Sequence, residues 1–314
     1  MRKIIIDCDP GHDDAIAICL AVANKEKLKT ELISTVAGNH TSEKITKNAL
    51  KIVELLNIDT PVAKGSVKPL IRELEIEENP PHGHTGMDGP VLPEPKIDVI
   101  STFSVEYMAN LIRQSREKVT IVAIGPLTNI ALLIRAYPDI VEKIEEISLM
   151  GGGIFIGNAT SASEFNIYVD PEAAKVVFNS GIPITMSGLD VTNKAYITKE
   201  EFTPLKKGGK ISKFVYDLLV FYNQYAEKYG FKGSAIHDAC TVMWLLNPEL
   251  FEYKMYPVDI VVSSCEARGQ TLADTRYVTD KKPNVKVLFD VDREKFVKNL
   301  LNAFEKLDKE VVAK

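Results

Sequence analysis

Eight residues near the start of the chain, Asp7-Cys8-Asp9-Pro10-Gly11-His12-Asp13-Asp14, hold four carboxylates. Four like charges this close repel one another unless something positive sits among them. A hard divalent cation with oxygen ligands is the natural partner. Ile4, Ile5 and Ile6 precede Asp7 and read as a buried strand. Side chains on a strand repeat every two residues, so Asp7 and Asp9 are expected on one face. Pro10-Gly11 turns the chain, which lets Asp13 and Asp14 fold back over Asp9 from the start of a helix. A helix N-cap accounts for one or two acids. It does not account for acids on the end of a strand.

Several cation and phosphate sites are excluded by spacing. An EF-hand would place its required glycine at His12 and its last ligand at Ile18. No GxxxxGK[ST] loop and no HExxH occurs, and the Gly151 loop has Ile156 where a dinucleotide loop carries its last glycine. An aspartyl-nucleophile phosphatase wants a small or β-branched residue after its second Asp, and this chain has Pro10. Two further constellations carry chemistry. His237-Asp238 pairs an imidazole with an acid at the start of a helix. The stretch from Asn158 to Asn166, with Glu164 inside it, offers amides and a carboxylate of the kind that hydrogen-bond sugar hydroxyls.

The elements that position these residues alternate. Strands are expected at Lys3–Asp7, Glu31–Val36, Val119–Ile124, Ile147–Met150, Ile184–Ser187, Val258–Val262 and Val285–Phe289. Helices are expected at Asp13–Asn24, Ser42–Leu56, Phe103–Gln114, Leu127–Ala136, Pro171–Asn179, Ile211–Tyr229, Asp238–Leu246 and Arg293–Leu307. This alternation predicts an α/β fold, an open and mostly parallel central sheet flanked by helices. No linker or repeat divides residues 1–314, so one domain is expected. Two loops stand out: Lys64–Asp98, rich in proline and carrying His82 and His84, and Gly151–Asn158. Ligands of parallel sheets sit at the carboxyl ends of the strands, where both loops are expected to open.

Composition narrows the class. The 314 residues carry a net charge of −5, which disfavours a nucleic-acid partner. The longest apolar run, Ala15–Ala23, is far short of the roughly 18 residues of a membrane span, and no signal peptide is evident. The chain reads as cytoplasmic, with no membrane partner. Cys8, Cys19, Cys240 and Cys265 form no CxxC pair and are expected as buried free thiols.

Together the motifs resemble the nucleoside hydrolases of the inosine–uridine-preferring type. The resemblance is carried by Asp7–Ala15, Val36–Asn39, Gly86–Pro90, Gly125–Asn129, Met150–Gly153, Asn158–Asn166, Asp170–Ala174 and His237-Asp238, in order over nearly the whole chain. It implies a Rossmann-like sheet, a bound Ca²⁺ under the ribose, and cleavage of the N-glycosidic bond to free base and ribose. Carried onto this chain, Asp9, Asp14, Asp238 and the carbonyl of Ile124 would be the calcium ligands. Asp13 and Asn39 would contact the ribose 2′- and 3′-side hydroxyls. Asn158, Glu164 and Asn166 would hold the rest of the sugar, and Asp9 would also be the general base for a calcium-bound water. His82 and His237 would stand near the base, where an imidazole can donate a proton to the departing base, with Tyr225 and Tyr229 over it. The chemistry is consistent, since an oxocarbenium-like transition state suits a ring of carboxylates and amide oxygens.

The purine-preferring branch uses tryptophans to sandwich the base. Trp244, the only tryptophan, falls inside a helix and is expected in the core. His82 and His237 resemble the branch that accepts pyrimidine nucleosides, so uridine and cytidine are the expected substrates, with inosine as a further one. Either His82 or His84 could reach the base, and Tyr225 and Tyr229 have a competing reading as core aromatics. A homotetramer or homodimer is implied by the resemblance alone. Two other functions compete. A Mg²⁺-dependent phosphatase with Asp7 as nucleophile needs a phosphate-binding Lys or glycine nest beside the acids, and none stands there. A nucleoside or ribose sensor without turnover would have lost Asp9, Asp14 or Asp238, and all are present.

Overall fold

The structure, a computed structural model, describes residues 1–78, 80–263 and 265–312. The three isoleucines lie in β1 (Arg2–Cys8) and are fully buried. Ile4 and Ile6 enter one apolar cluster and Ile5 another, as the two-residue period of a strand requires. Both faces of the strand are covered, which is what allows it to be apolar throughout.

The main sheet has eight strands. After β1 come β2 (Leu28–Thr35), β3 (Val62–Lys64), β4 (Val119–Ala123), β5 (Ile144–Met150), β6 (Ile184–Ser187), β7 (Phe251–Tyr256) and β8 (Val285–Val291). Their spatial order is β3-β2-β1-β4-β5-β6-β8-β7. All neighbours pair in parallel except β7, which runs antiparallel to β8 at one edge. The helices that bear on the site are α1 (His12–Ala23), α2 (Ser42–Leu56), α3 (Ser104–Gln114), α4 (Thr128–Ala136), α5 (Phe165–Val169), α6 (Pro171–Phe178), α7 (Lys210–Tyr229), α8 (Ala239–Leu246) and α9 (Arg293–Val312). The fold is the expected α/β one, an open and mostly parallel sheet between helices.

β1 and β4 are adjacent, and the strands that follow each lie on opposite sides of the pair. This is a topological switch point, where the loops part and leave a crevice beyond the carboxyl ends. The acid motif follows β1 and Ile124-Gly125 follows β4, so both reach that crevice.

Sequence periodicity missed some elements. β7 was not expected, although Phe251, Tyr253 and Met255 alternate with Glu252 and Lys254 as the side chains of a strand do. It pairs antiparallel with β8 at the edge of the sheet, and only its two end residues are buried. The strand expected at Val258–Val262 ends at Ile260 and pairs with Thr271–Ala273, outside the main sheet. Lys64 belongs to β3 rather than to the long loop. Beyond Lys64, the described residues up to Asp98 contain no helix or strand. Cys8, Cys19 and Cys240 are buried free thiols as expected, but Cys265 is exposed. Trp244 is buried in the core. No helix of the described residues is long and apolar enough to cross a membrane.

Candidate active site

Asp14 does two local jobs at the turn from β1 to α1. Its Oδ2 accepts from the Gly11 N–H at 2.9 Å and its Oδ1 from the Asp9 N–H at 3.1 Å. These bonds satisfy donors that a helix start leaves open and fold the acid back over Asp9. Asp9 Oδ2 accepts from the Asn39 N–H at 2.7 Å, and Asn39 Nδ2 donates to the Asp9 carbonyl at 3.1 Å. The loop after β2 is thereby tied to the loop after β1. Gly38 and Gly125 flank the carboxylate closely: a Cβ on Gly38 would stand 2.2 Å from Asp9 Oδ2, and one on Gly125 2.7 Å from Asp9 Oδ1.

Carboxylate oxygens of Asp13, Asp14 and Asp238 lie within 4.8 Å of one another, all buried. Asp9 Oδ1 is buried beside them with no hydrogen-bond partner among the described residues. Burial, followed by the Asp14 charge, pushes the Asp9 carboxyl well above the usual range. Burial likewise raises Asp13 to about 8 and Asp14 to about 6, and lifts Asp238 well above its ordinary value. A cation among these oxygens would reverse each shift and satisfy the orphaned one. The donor set is all oxygen, which suits a hard divalent ion.

Asp7 does not join them. Its Oδ1 accepts from Asn129 Nδ2 at 2.8 Å, and burial raises its carboxyl to about 7. Asp7 is still inside β1, two residues and so about 6–7 Å behind Asp9 along the strand. Of the four acids in the motif, Asp7 alone faces Asn129.

Asp13 and Asp238 of this cluster lie on the floor of a cavity of about 450 Å³, an ordinary size for a small-molecule site. Asp13, Asn39, Ile124, Asn158, Glu164, Asn166 and Asp238 all line it. The Ile124 carbonyl accepts from Asn166 Nδ2 at 3.1 Å and keeps a second lone pair. Glu164 caps α5, accepting from the N–H groups of Asn166 and Ile167, and also from Gly152 at 2.8 Å. Asn158 Oδ1 accepts from the Phe165 N–H at 2.9 Å, which leaves its amide NH₂ for the cavity. Each of these side chains is hydrogen-bonded to the protein's own backbone.

The upper wall is aromatic. His82, His237, Tyr222, Tyr225 and Tyr229 line it. His82 is buried while His84 is exposed, so only His82 faces the cavity. Tyr225 and Tyr229 are 40% and 54% exposed, which removes the core reading. Tyr222 was missed by the sequence reading, although its spacing of three and seven from Tyr225 and Tyr229 puts it on the same helix face. Burial lowers His237 to about 4, and its Nδ1 lies 2.8 Å from Thr192 Oγ1. Burial, then the neighbouring His12, lowers His82 well below the usual value. The long loop opens on this edge as expected and adds Glu75, Ile76, Glu77, Pro80 and Pro81 to the rim.

Comparison with known proteins agrees with this geometry. The pyrimidine-specific ribonucleoside hydrolases RihA of Shigella boydii and of Escherichia coli are each 50% identical over 298 residues, 94% of this chain and 95% of theirs. Among solved structures, a plant nucleoside hydrolase, PpNRh1, superposes with a TM-score of 0.89 at 33% identity, covering 98% of this chain and 99% of its own. A purine-preferring ribonucleoside hydrolase from Gardnerella vaginalis gives 0.92 at 29% identity, covering 98% and 100%. Residues 4–298 match the family described as inosine-uridine preferring nucleoside hydrolase, and the chain belongs to that family.

Proposed function

We propose that the protein hydrolyses the N-glycosidic bond of pyrimidine ribonucleosides, uridine and cytidine foremost and inosine as a further substrate, with Ca²⁺ as its cofactor. The observation that carries this reading is the oxygen-only floor, Asp13, Asp14 and Asp238 with the orphaned Asp9 Oδ1, beneath a wall of amides and aromatics. Asp9, Asp14, Asp238 and the Ile124 carbonyl would hold the ion. When bound, calcium would orient the ribose diol and acidify the attacking water.

The protein's own groups do the rest. Asp13 and Asn39 accept and donate at the ribose hydroxyls, and Asn158, Glu164 and Asn166 hold the other end of the sugar. Positive charge develops on the ribose as the bond breaks, and the surrounding carboxylates and amide oxygens favour it. Asp9 Oδ1 takes the proton of the attacking water. The departing base carries negative charge, which His237 meets with a ring N–H while His82 completes the polar edge of the base subsite. Tyr225 and Tyr229 cover the base and keep bulk water from it. Pyrimidine preference is supported by the 50% identity to pyrimidine-specific relatives and by the placement of Trp244 in the core, away from the cavity. A cytoplasmic location and a homotetramer or homodimer belong to the same reading.

The test is direct. The protein is incubated with uridine, cytidine and inosine, with and without prolonged chelation, and free base and reducing sugar are measured. Release of ribose from the pyrimidine nucleosides, lost on chelation and restored by Ca²⁺, is the expected result. Absence of cleavage while calcium is demonstrably bound would overturn the activity and leave the sensor reading. Far better turnover of inosine than of uridine would overturn the base preference.

A further inference from the structure

Asn129 links the ends of four strands. It is the second residue of α4, the helix that follows β4, and it is fully buried. Its Nδ2 donates to Asp7 Oδ1 in β1 at 2.8 Å and to the carbonyl of Thr35, the last residue of β2, at 2.9 Å. The Ser34 hydroxyl stands farther off, at 3.3 Å. Asn129 Oδ1 accepts from the N–H of Ser66, just beyond β3, at 2.9 Å. An amide donates and accepts at once, which neither a carboxylate nor an apolar side chain of this size can do. Gly65 leaves the room for it: a Cβ there would stand 2.4 Å from Asn129 Nδ2 and 2.3 Å from the Thr35 carbonyl oxygen.

Each of these bonds leads toward the acidic floor. Asp7 lies two residues before Asp9 in the chain. The Ser66 carbonyl accepts from the Ala37 N–H at 2.9 Å, which joins the loop after β3 to the loop after β2. Gly38 and Asn39 follow Ala37, and the Asn39 N–H donates to Asp9 Oδ2 at 2.7 Å. Gly38 packs so closely that a Cβ on it would stand 2.2 Å from Asp9 Oδ2 and 2.7 Å from Pro126 Cδ, in the turn that leads into α4. Asn129 itself does not line the cavity.

We infer that Asn129 is a positioning residue: its amide clamps the ends of β1, β2 and β3 to the start of α4 and so fixes where Asn39 meets Asp9. It acts through the Asn39 N–H, which holds Asp9 Oδ2 and leaves Oδ1 without a protein partner among the described residues. Without the clamp, the loops after β2 and β3 remain joined to each other through Ser66 and Ala37 but are released from β1. Asn39 then parts from Asp9, and the carboxylate loses its fixed orientation. The role of Asp9 toward calcium rests on the nucleoside hydrolase reading; the clamp does not.

The experiment is amide hydrogen exchange of the chelated protein, read at Asn39 with no nucleoside present. The Asn39 N–H bonds to Asp9 and not to Asn129, so it reports the clamp at one remove. Asn129→Ala should speed its exchange about tenfold, as expected for one weakened hydrogen bond. Calcium affinity, measured by calorimetry, should fall roughly 10–100-fold. Asn129→Asp keeps the size of the side chain and an acceptor for the Ser66 N–H, but its carboxylate cannot donate to Asp7 or Thr35. It should show both changes, and it carries the test if Asn129→Ala does not fold. The control is Ile130→Ala, at the next residue, fully buried among apolar side chains. It should lower the melting temperature and leave both readouts where they were. Unchanged exchange at Asn39 in a folded Asn129 variant overturns the inference. So does an equal response in Ile130→Ala, or unchanged affinity where the unsubstituted protein binds calcium. If uridine is not cleaved at all, the nucleoside hydrolase reading fails separately, and exchange at Asn39 still decides the clamp.

Discussion

The acidic floor of the cavity stands on the loops and helix starts that follow the strands; its outer wall comes from α7 and the long loop after β3. On the floor, Asp9, Asp14 and Asn39 are tied to one another by backbone hydrogen bonds between 2.7 and 3.1 Å. On the wall, Tyr225 and Tyr229 touch each other, their centroids 4.6 Å apart, and face solvent on their other side. The floor groups must stand in one geometry for chemistry, and the loops and helix starts at a switch point provide it. The wall has to admit and release a ligand, and a helix end with few buried contacts is suited to opening. Damage to the floor should therefore appear in turnover and metal binding, and damage to the wall in KM and base preference.

The sharpest way to break that division is Asp9→Asn. Uridine kcat should fall roughly 10²–10⁴-fold, with KM and far-ultraviolet circular dichroism little changed. A variant that keeps more than a tenth of the activity would remove Asp9 from the role of base. Gly125→Ala attacks the same carboxylate without altering it, since the new Cβ would stand 2.7 Å from Asp9 Oδ1 and 2.8 Å from Val36 Cγ1. Calcium affinity, followed by calorimetry, should drop roughly 10–100-fold.

Thermal stability offers a third test. In chelated protein the raised carboxyls keep protons in the folded state that the unfolded chain gives up near its ordinary value of 3.8. The resulting stability is fully present below that pH and is lost as pH rises through about 6 for Asp14 and about 8 for Asp13. Melting of the chelated protein should therefore fall between pH 5 and pH 8, and calcium should restore it most at the upper end. A flat profile would show that the floor is not strained by its charges.

Wall variants should be milder. Tyr225→Ala and His84→Ala make an informative pair, because the first residue lines the cavity and the second does not. Tyr225→Ala should raise KM several-fold and shift the uridine-to-inosine ratio, as expected when one aromatic contact is lost. His84→Ala should leave both parameters unchanged. The smallest effect is expected far from the ligand. Asp308 in α9 accepts from the N–H groups of Gly209, Ile211 and Ser212 and so caps α7, the helix that bears the tyrosines. Asp308→Ala should cost about 0.5–2 kcal/mol and speed hydrogen exchange in the first turns of α7, with kcat retained.

Much of the floor was legible in the chain because its signals are local. An apolar strand, a turn at Pro10-Gly11 and a capped helix lie within a few residues of each other, and their periods predict where the acids go. Ser42–Leu56 and Ile184–Ser187 coincide with the observed elements for the same reason. β7 was legible in the alternation of Phe251, Tyr253 and Met255 with Glu252 and Lys254, and was overlooked. Tyr222 escaped because helical spacing marks a face without saying what the face meets.

By itself, then, the sequence determined the alternating elements, the open parallel sheet and the stock of oxygen ligands at the end of β1. Tertiary structure decided which acids share the floor, turning Asp7 to Asn129 while bringing Asp238 to Asp13 and Asp14. It also decided that His82, not His84, faces the cavity, and that His12 touches it across 70 residues of chain. The physical reason is range. Backbone period and capping act over one or two turns, whereas a carboxylate's neighbours depend on groups that only the packed fold brings together.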